Sequence, residues 1–163
     1  MKQNKFVCIL ALVSLLCITG FESPPKIIVS KMEIKVLEIA SALRYDFILK
    51  NEGGLFPDQK DLSHHQTLGN DLSHGFLVIP NGKLASLMEL VPNAKFTIMR
   101  PHGGGSSGSL KNEGEIKIHL EYAIKKGADL KAVKEYASDS HLYIFDGSQE
   151  IAKISLNKVM NKS

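Results

Sequence analysis

What this sequence lacks narrows it before any motif is read. Trp is absent, and the two cysteines, Cys8 and Cys17, both lie in the apolar N-terminal stretch. The rest of the chain therefore has no disulfide framework, no thiolate metal site and no cysteine nucleophile. Pro and Gly are sparse, at 6 and 13 of 163 residues, while 44% of the chain is hydrophobic. That composition excludes collagen-like and low-complexity classes. A surplus of one charge is missing as well. The formal net charge is +3, from 20 Lys+Arg and 17 Asp+Glu, but Lys2 and Lys5 lie in a leader without any acid. Without those two, 18 basic residues face 17 acidic ones, a balance of +1. A near-neutral domain lacks the basic footprint of a nucleic-acid binder, so no nucleic-acid partner is expected. The glycines of 103–108 lack the Lys-Ser/Thr end of a phosphate loop and the dinucleotide-binding spacing.

What is present begins with residues 1–21. Lys2 and Lys5 form a positive start, and Phe6 to Phe21 carries no charge. At about 1.5 Å per residue this run reaches roughly 24 Å, against a hydrocarbon core of about 30 Å. It reads as an export signal or an N-terminal membrane anchor, and both fates are open. Gly20 suits the residue before a cleavage site, whereas Ile18 is bulky where a small residue is preferred. Ser14 and Leu16 before Cys17 do not form a lipobox. In either case the Lys pair stays cytoplasmic and the remainder is exported. The expected location is periplasmic, held at the inner membrane through 6–21 or freed by cleavage, with secretion as a further possibility.

Residues 22–29, with Pro24-Pro25, read as a linker, and 30–163 as one exported domain. Ser30 and Glu33 make a capping box, and Met32, Val36, Ile39, Ala40, Leu43 and Phe47 recur at helical steps. This predicts a long helix ended by Asn51-Glu52-Gly53-Gly54. A strand is expected at 76–79, a helix at 84–91, a strand at 95–99 and a loop over 101–108. Alternation of Ile116, Ile118, Leu120 and Tyr122 favours a strand, and Asp129 caps a helix to about Ala137. Leu142–Phe145 and Glu150–Leu156 flank Asp146-Gly147, a hairpin signal. The expected class is α+β, a long N-terminal helix packed on a small, mainly antiparallel sheet with a C-terminal β-hairpin.

The candidate chemistry is sparse. Asp61-Leu62-Ser63-His64 is echoed by Asp71-Leu72-Ser73-His74, with His65 beside the first copy. A metal site would draw on His64, His74, Asp61 and Asp71, because imidazole and carboxylate suit zinc or copper, but no established ligand spacing is present. No cofactor is expected. Ser73-His74-Gly75-Phe76-Leu77-Val78 resembles the Ser-His-Gly-Cys signature of L,D-transpeptidases, with Phe76 where that family has its nucleophile. His102-Gly103-Gly104-Gly105 resembles an esterase oxyanion motif, and Gly104 to Gly108 fits the nucleophile-elbow pattern, two roles one loop cannot fill together. Glu113-x-Glu115 resembles an ADP-ribosyltransferase loop without the Arg and Ser-Thr-Ser strand such an enzyme needs.

All six histidines fall after the leader: His64, His65, His74, His102, His119 and His141. Protonating all six would move the domain from +1 to +7. His64, His65, His74 and His102 are the candidates for pH sensing or interaction. In size, layout and histidine content the chain resembles the small periplasmic accessory proteins of ToxR-like membrane transcription regulators in adhesive-pilus operons of the pH-six antigen type. That resemblance implies a non-enzymatic accessory or sensor protein that stabilises or modulates a membrane-anchored partner, with acidity as its signal. An exported metal-dependent or cell-wall hydrolase and a secreted effector or structural component are the alternatives.

Overall fold

The computed structural model describes residues 25–54, 74–94, 96–110, 113–146 and 149–161, with only the backbone at 74 and 146. The leader lies outside these residues, as do Asp61, His64, His65 and Asp71. Among the described residues no helix is long and apolar enough to cross a membrane.

The predicted N-terminal helix is absent, and the α+β class is overturned with it. In its place stand β1 (Ile27–Leu37) and β2 (Ala42–Asn51), an antiparallel hairpin turning through 38–41. The reason is visible in the residues. Every fourth residue of an alternating strand also lies on one face, so Met32/Val36 and Leu43/Phe47 satisfy both periods. Ile34, Tyr45 and Leu49 fit only the period of two, and Tyr45 and Leu49 are fully buried. The tight turn shifts the phase between the two runs and produces the three-residue step that imitates a helix. Ser30, expected as a helix cap, donates its hydroxyl to the Ile48 carbonyl (3.0 Å). Asn51, expected at a helix end, is fully buried at the end of β2. Its amide donates to the carbonyls of Leu110 (3.0 Å) and Gly54 (3.2 Å).

The remaining elements are β3 (His74–Ile79), α1 (Gly82–Leu87), β4 (Pro101–Gly108), β5 (Glu115–Ala123), α2 (Leu130–Tyr136), β6 (His141–Asp146), β7 (Gln149–Ser155) and α3 (Leu156–Met160). Asn81 caps α1 by accepting from the Leu84 amide (2.9 Å), and Asp129 caps α2 from Lys131 (2.8 Å) and Ala132 (3.4 Å). The strand expected at 95–99 is reduced to one bridge, Leu90 to Met99. The expected loop at 101–108 is instead strand β4, paired along β5.

Among the described residues seven strands form two antiparallel sheets, ordered β1-β2-β5-β4 and β3-β6-β7. This is the A-B-E-D and C-F-G order of a constant-type immunoglobulin sandwich, reached without that fold's disulfide or Trp. Tyrosines fill the centre instead. Tyr45 stacks on Phe47 at 5.9 Å between ring centroids and meets Tyr122 edge-on at 6.2 Å. The Tyr45 hydroxyl donates to the Ala137 carbonyl (3.0 Å), and the Tyr122 hydroxyl accepts from the Val78 amide of the opposite sheet (2.9 Å). Burial pushes both phenols above their ordinary pKa, so both stay protonated.

Candidate functional site: the outer face of the four-stranded sheet

Alternation that buries one side of β1, β2 and β5 exposes the other, and the register aligns that exposed side in rows. One row runs Lys31, Ile48, Lys117, Ser107 across β1, β2, β5 and β4. The next runs Glu33, Asp46, His119, Gly105, and the third Lys35, Arg44, Glu121, Gly103. A groove of about 450 Å³ lies over the first two rows and includes Lys31, Asp46, Lys117, His119 and Ser107.

The second and third rows are cross-braced. Lys35 bridges Glu33 (3.0 Å) and Asp46 (3.4 Å). Arg44 holds Asp46 (2.8 Å) on its own strand and Glu121 (3.2 Å) on β5. Burial alone would raise the Asp46 carboxyl, but hydrogen bonds and charge from Arg44, then Lys35, outweigh it and hold that pKa below the ordinary value. Hydrogen bonding to Asp46 raises Arg44, and hydrogen bonding to Glu33 raises Lys35. Three acids and two cations are thus linked across three strands, with one negative charge in excess. The first row has no such brace. Lys31 and Lys117 flank Ile48 across the strands, and Lys50 follows two residues along β2. None of the three is held in an ion pair among the described residues.

The two glycines of β4 on this face have a specific task. A Cβ on Gly103 would stand 2.9 Å from Glu121 Oε2, and one on Gly105 would collide with the His119 ring. The absence of side chains there lets Glu121 and His119 lean outward over β4, to the margin of the sheet. This also disposes of the esterase reading. A nucleophile elbow needs a strand-to-helix turn, whereas Ser106 sits within an extended edge strand.

The histidines are dispersed. His102 is exposed at a bulge in β4, His141 opens β6, and the backbone of His74 opens β3 opposite Asp146. His64, His65, Asp61 and Asp71 lie outside the described residues. Among the described residues no group of three His, Cys, Asp or Glu could hold a metal ion. The histidine that faces the groove is His119, which the sequence reading did not single out. Its signal was there: alternation over 115–121 places Lys117, His119 and Glu121 on one side. The glycine strand that completes the face carries no hydrophobic pattern to reveal it.

No family model matches the chain, and neither does any curated protein or solved structure.

Proposed function

We propose that this chain is a non-enzymatic exported accessory protein that binds an acidic segment of a membrane-bound partner through the outer face of its four-stranded sheet. The observation that carries this reading is the lysine cluster. Lys31, Lys50 and Lys117 surround Ile48, Lys31 and Lys117 lining the groove and Lys50 standing opposite Glu115, and none of the three is in an ion pair among the described residues. Exposed cations outside the ion-paired network attract and orient an acidic segment, and Ile48 offers an apolar contact between them.

The position of the cluster supports a partner at the membrane. β1 begins at Ile27, directly after the Pro24-Pro25 linker, so Lys31 and Lys50 lie towards the end of the sheet where the apolar leader joins. A retained leader would keep that end near the bilayer. A membrane-anchored transcription regulator of pilus or adhesin expression is the partner class that the layout suggests. His119 is the histidine in this groove, beside Lys117, facing Asp46 on β2, Gly105 on β4 and Glu121 along β5.

Co-purification of the full chain from membranes at pH 6 and pH 7.5 tests the proposal. The wild-type chain is expected to bring down a membrane protein, more strongly at pH 6, and the Lys31→Glu/Lys50→Glu variant to lose at least tenfold of that capture. No partner at either pH, capture indifferent to the variant, or equal binding to protein-free anionic vesicles would overturn it.

A further inference from the structure

The margin formed by β4 has a feature that partner binding to the lysine cluster does not use. β4 is an edge strand, and Gly103, Gly104, Ser106, Ser107 and Gly108 are exposed. Edge strands are ordinarily protected by Lys side chains, prolines or bulges. Here the bulge and Pro101 lie at one end, and 103–108 carries only Gly and Ser. Among the described residues no strand pairs with its outer side.

We propose that β4 pairs antiparallel with β4 of a second copy, about a two-fold axis at Gly105, joining two four-stranded sheets into one of eight strands. The charges select this occupant and this register. Opposed residues in an antiparallel pair share a face and a hydrogen-bonding class, so a symmetric pairing must oppose a residue to itself. With Gly105 on the axis, Gly103 faces Ser107 of the second copy. Glu121 leans over Gly103 and Lys117 lies behind Ser107, so the two fall in one row. They are separated by three strand spacings, about 14 Å between backbones, which one Lys and one Glu side chain span when both extend along the sheet. Glu121 is prepared for this contact: Oε1 accepts from Arg44, while Oε2 points over Gly103 to the edge. Lys117, in no ion pair among the described residues, gains a carboxylate, and symmetry makes the pair twice. Centring the pair on Ser106 would instead set His119, not Glu121, in the row of Lys117 of the second copy, so that no carboxylate meets that lysine. Lys31 and Lys50 lie on the far strands and stay available to the proposed partner, so the two surfaces share Lys117 alone.

The test is sedimentation of the purified full chain, in a mild detergent that accommodates its leader, over a range of concentrations. The wild-type chain is expected to dimerise, Lys117→Glu to weaken the dimer at least tenfold, and the exchange Lys117→Glu/Glu121→Lys to restore it. Thermal melting of each variant separates lost pairing from lost folding. A folded wild-type chain that stays monomeric, or a dimer that Lys117→Glu leaves unchanged, would overturn the proposal. Lys31→Glu/Lys50→Glu, which should abolish partner capture, is expected to dimerise normally.

Discussion

Tyr122 carries two tasks in one side chain. Its ring packs in the middle of the core, and its hydroxyl accepts the amide of Val78, a fully buried residue of the opposite sheet. Tyr122→Phe keeps the ring and orphans that N–H, so it should cost about 1–3 kcal/mol, measurable by urea denaturation. Asn51 is a comparable case at the end of β2. Its side chain is wholly buried, donates to Leu110 and Gly54, and accepts from the Gly53 amide (3.2 Å). Asn51→Leu leaves the two carbonyls and the amide without this partner. Its expected cost is about 2–4 kcal/mol, with the two stretches it joins, 53–54 and 109–110, gaining the most hydrogen exchange. Both residues were visible in the sequence. Their roles were not, because each depends on a backbone group distant along the chain.

At the scale of the element, the ion-paired rows make an acid-sensitive brace. The Asp46 carboxyl has a lower pKa folded than unfolded, where it lies near ~3.9. The stabilisation is therefore complete above about pH 4 and is lost as pH falls through the folded value. Asp46→Asn should lower stability near neutrality and lose less on acidification, so the two denaturation curves converge as pH falls below about 4. Arg44→Met, which removes the cation shared by Asp46 and Glu121, should cost about 1–2 kcal/mol at neutral pH, between an exposed and a buried pair. Pattern at this scale misled once and informed twice. The stripe from Met32 to Phe47 fits a helix until Tyr45 and Leu49 are counted. The alternation of 116–122 and the Asp146-Gly147 signal correspond to β5 and to the β6–β7 ladder. For β4, pattern is silent: seven of its eight residues are Pro, Gly or Ser plus one His at the bulge apart, and it becomes a strand because β5 offers it a partner.

For the whole molecule, the architecture separates two surfaces that the sequence interleaves. Lysines 31, 50 and 117 come from three strands, and the open edge comes from a fourth. Lys31→Glu/Lys50→Glu should therefore reduce partner capture and leave self-association intact, whereas Lys117→Glu, at the residue the two surfaces share, should weaken both, in the pull-down and sedimentation experiments described above.

The sequence by itself determined the near-neutral charge of residues 22–163, their freedom from cysteine and the local alternation that buries one side of each central strand. These are composition and short-range pattern, and no folding is needed to read them. Tertiary structure alone decided that β1 and β2 form a hairpin, that β4 is an edge, and that His119 rather than His102 faces the groove. Each of these depends on register between strands far apart in the chain, and register is settled by which pairing buries Tyr45, Phe47 and Tyr122 together while leaving Lys31, Asp46 and His119 in contact with water.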